Sequence, residues 1–244
     1  MYNKKQPETI QAMFGSIAKS YDRTNAALSF FLHRYWNKRL VREVINGGLT
    51  HPDTLLDLCS GTGDITFSFL QQASRNTNVY LLDFCEEMLD CAKQKALKSQ
   101  WKHGPNLTFI QADAQKIPLP DACVDSVTIA YGIRNVTDPE KCVRDVLRVL
   151  RPGGTFGILE LTQPTQPVLR FGHKMYLQNV MPVLGKCFTA NQQAYEYLCN
   201  SIKTFVLPAD LERMLIKTGF QQTKRIPLSG GIATILIGKK PNLL

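Results

Sequence analysis

Leu55–Asp64, LLDLCSGTGD, is a short apolar run that turns through two glycines, and Asp83 ends a second apolar run, Val79–Asp83, about twenty residues on. A strand that breaks at glycines before a helix lets backbone approach a ligand with no Cβ in the way and offers it unpaired N–H groups. Gly61 and Gly63 are therefore candidate ligand contacts, and Asp83 supplies a carboxylate for ribose hydroxyls. Glycines in such a turn also serve simply to relieve strain. A dinucleotide site usually carries a third glycine, so that a pyrophosphate can sit on the helix N-terminus. Here Asp64 stands where that pyrophosphate would lie. It would repel an anion but not a sulfonium cation bearing a ribose and an amino-acid tail, so S-adenosylmethionine is expected in preference to NAD.

Around this turn the patterns alternate. Leu28, Phe31, Leu32, Tyr35, Trp36 and Leu40 recur at helical spacing and place one or two helices between residues 8 and 44. Strands are predicted at 54–58, 79–83, 107–111, 124–130 and 155–161, with helices over 64–74, 86–99 and 139–150. Pro139 opens the last of these helices, and Arg151-Pro152-Gly153-Gly154 stops it. From 163 to 201 the alternation lapses into a helical insertion broken by Pro164, Pro167 and Pro182. A helix over 208–218 and strands over 220–226 and 232–238, joined at Gly230-Gly231, finish the chain. The expectation is an α/β fold across 1–244 as one domain: a doubly wound, mostly parallel seven-stranded sheet with added N-terminal helices over about 8–48.

At 244 residues and 44% hydrophobic composition, one domain with a full core is expected rather than two. No apolar run reaches about eighteen residues, and no charged-then-apolar leader stands at Met1, so a cytoplasmic protein is expected. The seven cysteines form no C-x-x-C pair and read as reduced, core-filling thiols. His33, His51, His103 and His173 are scattered, so no metal site is expected. The net charge of +9 favours anionic surroundings such as nucleic acid or an acidic bilayer face; spread along the chain, it also fits a merely solubilising surface.

Two further stretches carry candidate chemistry. Asp113-Ala114 follows the third strand, where the carboxylate either meets an adenine amino group or caps a turn. Tyr131-Gly132-Ile133-Arg134-Asn135-Val136 leaves the fourth strand over the presumed ligand crevice. Arg134 and Asn135 there suit an oxygen-rich substrate and its developing negative charge, or equally a helix cap or a surface carboxylate.

Three blocks of sequence resemble the UbiE/MenG quinone C-methyltransferases. The first is Phe14–Asp22 with Leu28-Ser29-Phe30 and His33-Arg34-Tyr35-Trp36. The second is Tyr131–Asp138 with Arg151–Gly154 and Leu159-Glu160. The third is Ala194–Leu198 with Ser201-Ile202 and Gly230-Gly231-Ile232. The resemblance spans nearly the whole chain and implies the class I S-adenosylmethionine-dependent, Rossmann-like fold. It implies methyl transfer to a ring carbon of a polyprenylated quinol, most simply demethylmenaquinol to menaquinol, with the methoxy-polyprenyl-benzoquinol precursor of ubiquinone as the alternative, or both. By the same resemblance Thr62, Asp83, Asp113 and Ala114 contact the cofactor, and Tyr21 and Asn135 position the ring hydroxyls. Arg134 is too basic to serve as the base and is assigned to phenolate stabilisation. Ala130 stands where the family usually has serine, so one hydroxyl contact to the cofactor is absent. Cys59 and Ser60 replace smaller residues of the glycine loop without bulk that would block it.

The substrate's isoprenoid tail needs an apolar path. Val168–Lys186, apolar with interspersed Arg170, His173 and Lys174, suits either the anionic inner face of a membrane or a helical lid. An RNA methyltransferase would share the fold and the charge, but neither an RNA-binding module nor a catalytic cysteine motif is present, so no nucleic acid partner is expected. A non-catalytic adenosylmethionine-binding protein is opposed by Tyr21, Arg134 and Asn135. A homodimer is compatible with the sequence, which does not fix the oligomeric state.

Overall fold

A computed structural model describes residues 7–47, 53–73, 77–98, 106–180 and 192–242, the side chains of 192–196 excepted. Three helices precede the first strand: α1 (Pro7–Ile17), α2 (Tyr21–Leu28) and α3 (Leu32–Gly47). The periodicity had predicted one or two. The break between α2 and α3 falls at Phe30 and Phe31, whose φ values of 47° and 62° lie in the left-handed region and end the helix.

Strands and helices then alternate as β1 (Thr54–Leu58), α4 (Asp64–Leu70), β2 (Asn78–Asp83), α5 (Glu86–Lys98), β3 (Leu107–Gln111) and β4 (Val124–Ala130). They continue as α6 (Pro139–Val149), β5 (Leu150–Leu161), α7 (Pro167–Met175), α8 (Gln192–Thr204), α9 (Pro208–Thr218), β6 (Gln221–Leu228) and β7 (Ala233–Lys239). Asp138 caps α6 by accepting from Lys141 N at 3.0 Å, with Pro139 in the first turn, where its missing N–H is not needed.

Three expectations need correction. Helix α4 stops at Leu70 rather than near 74. Arg151–Gly154 lies inside β5: Leu150 opposes Val124 while Thr155 opposes Ser126, so the residues between them bulge from the ladder. Pro167 starts α7 instead of breaking a helix. Pro182 lies outside the described residues.

The sheet order is β3-β2-β1-β4-β5-β7-β6, and β7 runs antiparallel to both its neighbours. The mostly parallel sheet with its N-terminal and inserted helices is as expected. Every residue of β1 is buried, which is why the strand reads as an apolar run with no alternation. Leu56 and Leu58 join the core under α6 and α9, whereas Leu55 joins the core under α3, α4 and α5. Strand order reverses between β1 and β4, so a crevice opens at their carboxyl ends.

Candidate active site

The glycine turn is built from below by Asp57. Its buried carboxylate accepts from Thr66 N at 3.2 Å, Thr66 Oγ1 at 2.8 Å and Thr128 Oγ1 at 2.9 Å, tying β1 to α4 and β4. Burial pushes its pKa up to about 7 against the pull of those hydrogen bonds. Gly63, with φ of 84°, sits at the N-cap of α4 in a conformation that disfavours any side chain. Asp83 holds the turn from the side: Oδ2 accepts from Gly61 N at 2.8 Å and Oδ1 from Cys85 N at 2.9 Å. Burial raises its pKa while these backbone donors pull it down.

On the other side of the crevice, Tyr131 turns the chain out of β4 with φ of 56°, a strained conformation for a tyrosine. Gly132 follows because the two loops touch: a Cβ there would come within 2.4 Å of the Cys59 Cβ. The Tyr131 hydroxyl donates to Asn37 Oδ1 on α3 at 3.0 Å.

Two cavities meet at this crossing. The smaller is lined by Asp83, Phe84, Asp113, Ala114, Asn135 and Gly61. The larger, about 1420 Å³ including its mouth, is lined mostly by apolar side chains of α1, α2 and α3 and of the 163–201 insertion. Phe14, Tyr21, Cys59, Gly61, Ala130 and Tyr131 border both. The structure thus brings Tyr21, Gly61, Asp83, Asp113, Ala114 and Asn135 of the sequence candidates to the smaller cavity, and Thr62 and Arg134 to the larger. Gly63 lies beneath the turn, its missing Cβ facing Phe67 at 2.8 Å, so its part is to shape the loop.

The smaller cavity fits the expected cofactor. A Cβ on Gly61 would meet no atom within 4 Å, so the turn presents bare backbone to open space. Asp83 keeps further lone pairs for two hydroxyls beyond the two backbone donors it already accepts. Asp113 is exposed and caps a turn, accepting from Gln115 N at 2.9 Å and from Gln115 Nε2. Of its two readings the turn is present, and an adenine amino group would have to share that carboxylate.

Two polar clusters were not foreseen. Asp64 does not stand alone before the turn: Lys95 Nζ lies 2.9 Å from it and 2.5 Å from Asp22 Oδ2, and Thr62 Oγ1 donates to Asp22 Oδ1 at 2.5 Å. Burial lowers the Lys95 pKa, and Asp64 and Asp22 outweigh it and raise it. Two carboxylates against one ammonium leave a net negative charge beside the turn, so the preference for a cation over a pyrophosphate survives the pairing.

Arg134 is likewise not an isolated cation. Its Nη1 lies 2.5 Å from Glu160 Oε1 and also donates to Tyr131 O, and Nε donates to Ser201 Oγ at 3.3 Å. Both side chains are buried, 4% and 2% exposed. Burial opposes both charges; Glu160 outweighs it at Arg134, whose pKa is raised. A guanidinium already paired with a carboxylate is a weaker partner for a phenolate. Asn135 accepts from the Tyr197 hydroxyl at 2.9 Å and turns Nδ2 towards Tyr131 O at 3.5 Å.

Residues 1–240 match the ubiE/COQ5 methyltransferase family. The chain belongs to that family. It is 51% identical over 240 residues to the demethylmenaquinone methyltransferase of Protochlamydia amoebophila, covering 98% of each chain. It is 35% identical over 237 residues to the ubiquinone/menaquinone biosynthesis C-methyltransferase UbiE of Francisella tularensis subsp. novicida, covering 97% of this chain and 93% of that one. Among solved structures, a SAM-dependent methyltransferase from Aquifex aeolicus superposes with a TM-score of 0.58 at 18% identity, over 82% of this chain and 89% of that one. That last likeness concerns the fold, and it agrees with the expected class I methyltransferase architecture.

This ubiE/COQ5 member also exposes an apolar patch next to Tyr176, which lines the larger cavity. Phe30 is 66% and Phe31 57% exposed, and on α7 Val168 is 84% and Phe171 68% exposed. The Phe30 ring lies 6.1 Å from that of Tyr176, which follows α7, so the two surfaces are continuous. Helix α7 has no buried residue, and Met181 to Lys186 of the expected amphipathic segment lie outside the described residues.

Proposed function

We propose that the chain transfers a methyl group from S-adenosylmethionine to a ring carbon of a polyprenylated quinol, most simply demethylmenaquinol to menaquinol. The junction of the two cavities at Tyr21 and Tyr131 carries this reading: one cavity offers bare glycine backbone and a ribose-ready carboxylate, the other a mostly apolar wall. Bound in the smaller cavity, S-adenosylmethionine supplies an electrophilic sulfonium methyl. The mostly apolar wall of the larger cavity suits the first isoprene units of the substrate tail.

In this reading Gly61, Asp83, Asp113 and Ala114 border the cofactor in the smaller cavity, Thr62 approaches it from the larger one, and Tyr21 and Asn135 meet the ring hydroxyls. Fixed by Tyr197, Asn135 keeps an Nδ2 hydrogen for a ring oxygen. Arg134 with Glu160 holds the turn that carries Tyr131 and Asn135 and joins it to Ser201 of α8, lending the ring oxygen only a residual positive field. Fixing the ring in a near-attack position is worth roughly 7 to 11 kcal/mol of barrier.

The benzoquinol precursor of ubiquinone is the second reading, favoured by the likeness to the ubiquinone/menaquinone enzyme. Mass spectrometry of labelled methyl incorporation, with each quinol offered chemically reduced, separates the two. Methylation of the naphthoquinol alone or of both rings supports the proposal, and methylation of neither overturns it.

The tail reaches the cavity from an anionic membrane face. Arg34 lies 5.0 Å from the Phe31 ring centroid, and α7 carries Arg170 and Lys174 with the exposed Phe171, a pattern suited to an acidic bilayer surface. At low salt the protein should sediment with phosphatidylglycerol vesicles, and the Phe30→Ser/Phe31→Ser variant should be released. Equal sedimentation of the two proteins, or none of either, would remove this surface from the proposal.

A further inference from the structure

We infer that His33 is the general base of this site, its Nε2 taking the hydroxyl proton of the quinol. The inference rests on the proposed quinol methylation and assigns the step which that reading leaves without a residue.

His33, in the first turn of α3, is buried and lines the larger cavity. Its Nδ1 lies 2.6 Å from Ser29 Oγ. That hydroxyl has one proton, and it is already donated to Asn25 O at 2.6 Å. Ser29 must therefore accept from the ring, so Nδ1 carries the hydrogen and Nε2 keeps the lone pair. No hydrogen bond from a described residue reaches Nε2. A neutral imidazole with a fixed tautomer and an open basic nitrogen is what abstraction of a phenolic proton needs.

The other ionisable groups on the cavity wall are less suited. Arg134 is paired with Glu160, Asp57 is filled by its two threonines, and Asp64 is held by Lys95. Tyr21, Tyr131, Tyr176 and Cys59 have pKa values raised by burial, and the Tyr197 hydroxyl donates to Asn135. His173 shares the cavity, but only burial shifts it, whereas His33 also feels Asp64 and Asp22, which favour an imidazolium once it forms. Burial and Arg34 oppose them, and the His33 pKa is lowered from 6.5, so the base stays unprotonated at neutral pH.

In the step, the O–H bond breaks with its electron pair left on oxygen, and Nε2 gains the proton. After methylation the imidazolium returns a proton to that oxygen as the ring C–H proton leaves to water. One proton is released for each methyl transferred.

The test follows steady-state methylation of the reduced quinol against pH in the wild type, His33→Gln and His173→Gln, beside calorimetric binding of S-adenosylmethionine. The wild-type kcat/KM should fall with acid through an apparent pKa below 6.5. His33→Gln should lose this limb and roughly 100-fold or more of kcat while binding S-adenosylmethionine as tightly as the wild type. An acid limb that survives in His33→Gln, or disappears in His173→Gln instead, would overturn the inference. Nitrogen-15 NMR of the wild-type protein reads the tautomer without any variant: Nδ1–H with unprotonated Nε2 is expected, and the reverse would overturn it. A wild type that methylates no reduced quinol defeats the proposed function instead, while the tautomer still decides for or against His33.

Discussion

Glu160→Gln should cost about 3 to 5 kcal/mol of stability and lower the melting temperature by on the order of 10 °C. The change takes from the buried Arg134 charge the carboxylate that lies 2.5 Å from its Nη1, and Tyr131 O and Ser201 Oγ are neutral acceptors that cannot replace it. Breaking a buried pair is costly because the desolvation of the remaining ion is no longer offset, whereas removing both charges spares that cost. Accordingly Arg134→Met combined with Glu160→Met should be more stable than Glu160→Gln alone. Scanning calorimetry and urea unfolding check both statements, and a Glu160→Gln protein as stable as the wild type would show that the pair is not held as described. The double variant should still turn over poorly, since Asn135 and Tyr131 ride on the turn that the pair secures. Activity equal to wild type would remove Arg134 from any part in the reaction.

The second large effect is expected at Asp83. Asp83→Ala removes the acceptor proposed for two ribose hydroxyls and also frees Gly61 N and Cys85 N, which hold the glycine turn in place. A hydrogen bond to a charged group contributes about 1.5 to 3 kcal/mol, so losing two should weaken S-adenosylmethionine binding roughly 100-fold or more. Isothermal titration reads this directly. An unchanged dissociation constant would place the cofactor elsewhere. Asp83→Asn keeps the shape and one carbonyl acceptor, and it should fall between the two.

The features that decided the fold are local, and these were legible in the sequence. β1 and β4 span the residues predicted for them, and nearly every residue of each is buried. Gly61, Gly63 and Asp83 announce a ligand turn because the turn itself requires them. The split between α2 and α3 was hidden, since it depends on two phenylalanines adopting a backbone that their side chains disfavour. The state of Arg134 was hidden for another reason: its partner lies 26 residues away on the neighbouring strand. A signal did exist in Glu160, a lone carboxylate in the otherwise apolar run from Phe156 to Leu161. Buried in a sheet it requires a cation, and Arg134 is the cation at the end of β4. The Asp22–Thr62–Lys95–Asp64 cluster offered no such signal, because it joins α2, the glycine turn, α4 and α5, whose approach only the folded chain creates. His33 was counted among four scattered histidines, and its orientation follows from Ser29 and Asn25 together, a relation visible only once α2 and α3 are seen to turn at Ser29.

Carbon becomes nucleophilic in this chemistry only when the ring is a quinol whose oxygen can lose a proton. The most direct measurement is therefore an anaerobic assay with methyl-labelled S-adenosylmethionine and demethylmenaquinone, one portion kept oxidised and the other chemically reduced. Label should enter the ring of the reduced portion and leave the oxidised one unmethylated. Methylation of the oxidised ring, or of neither portion by protein that still binds S-adenosylmethionine, would contradict quinol methylation as the work of this site.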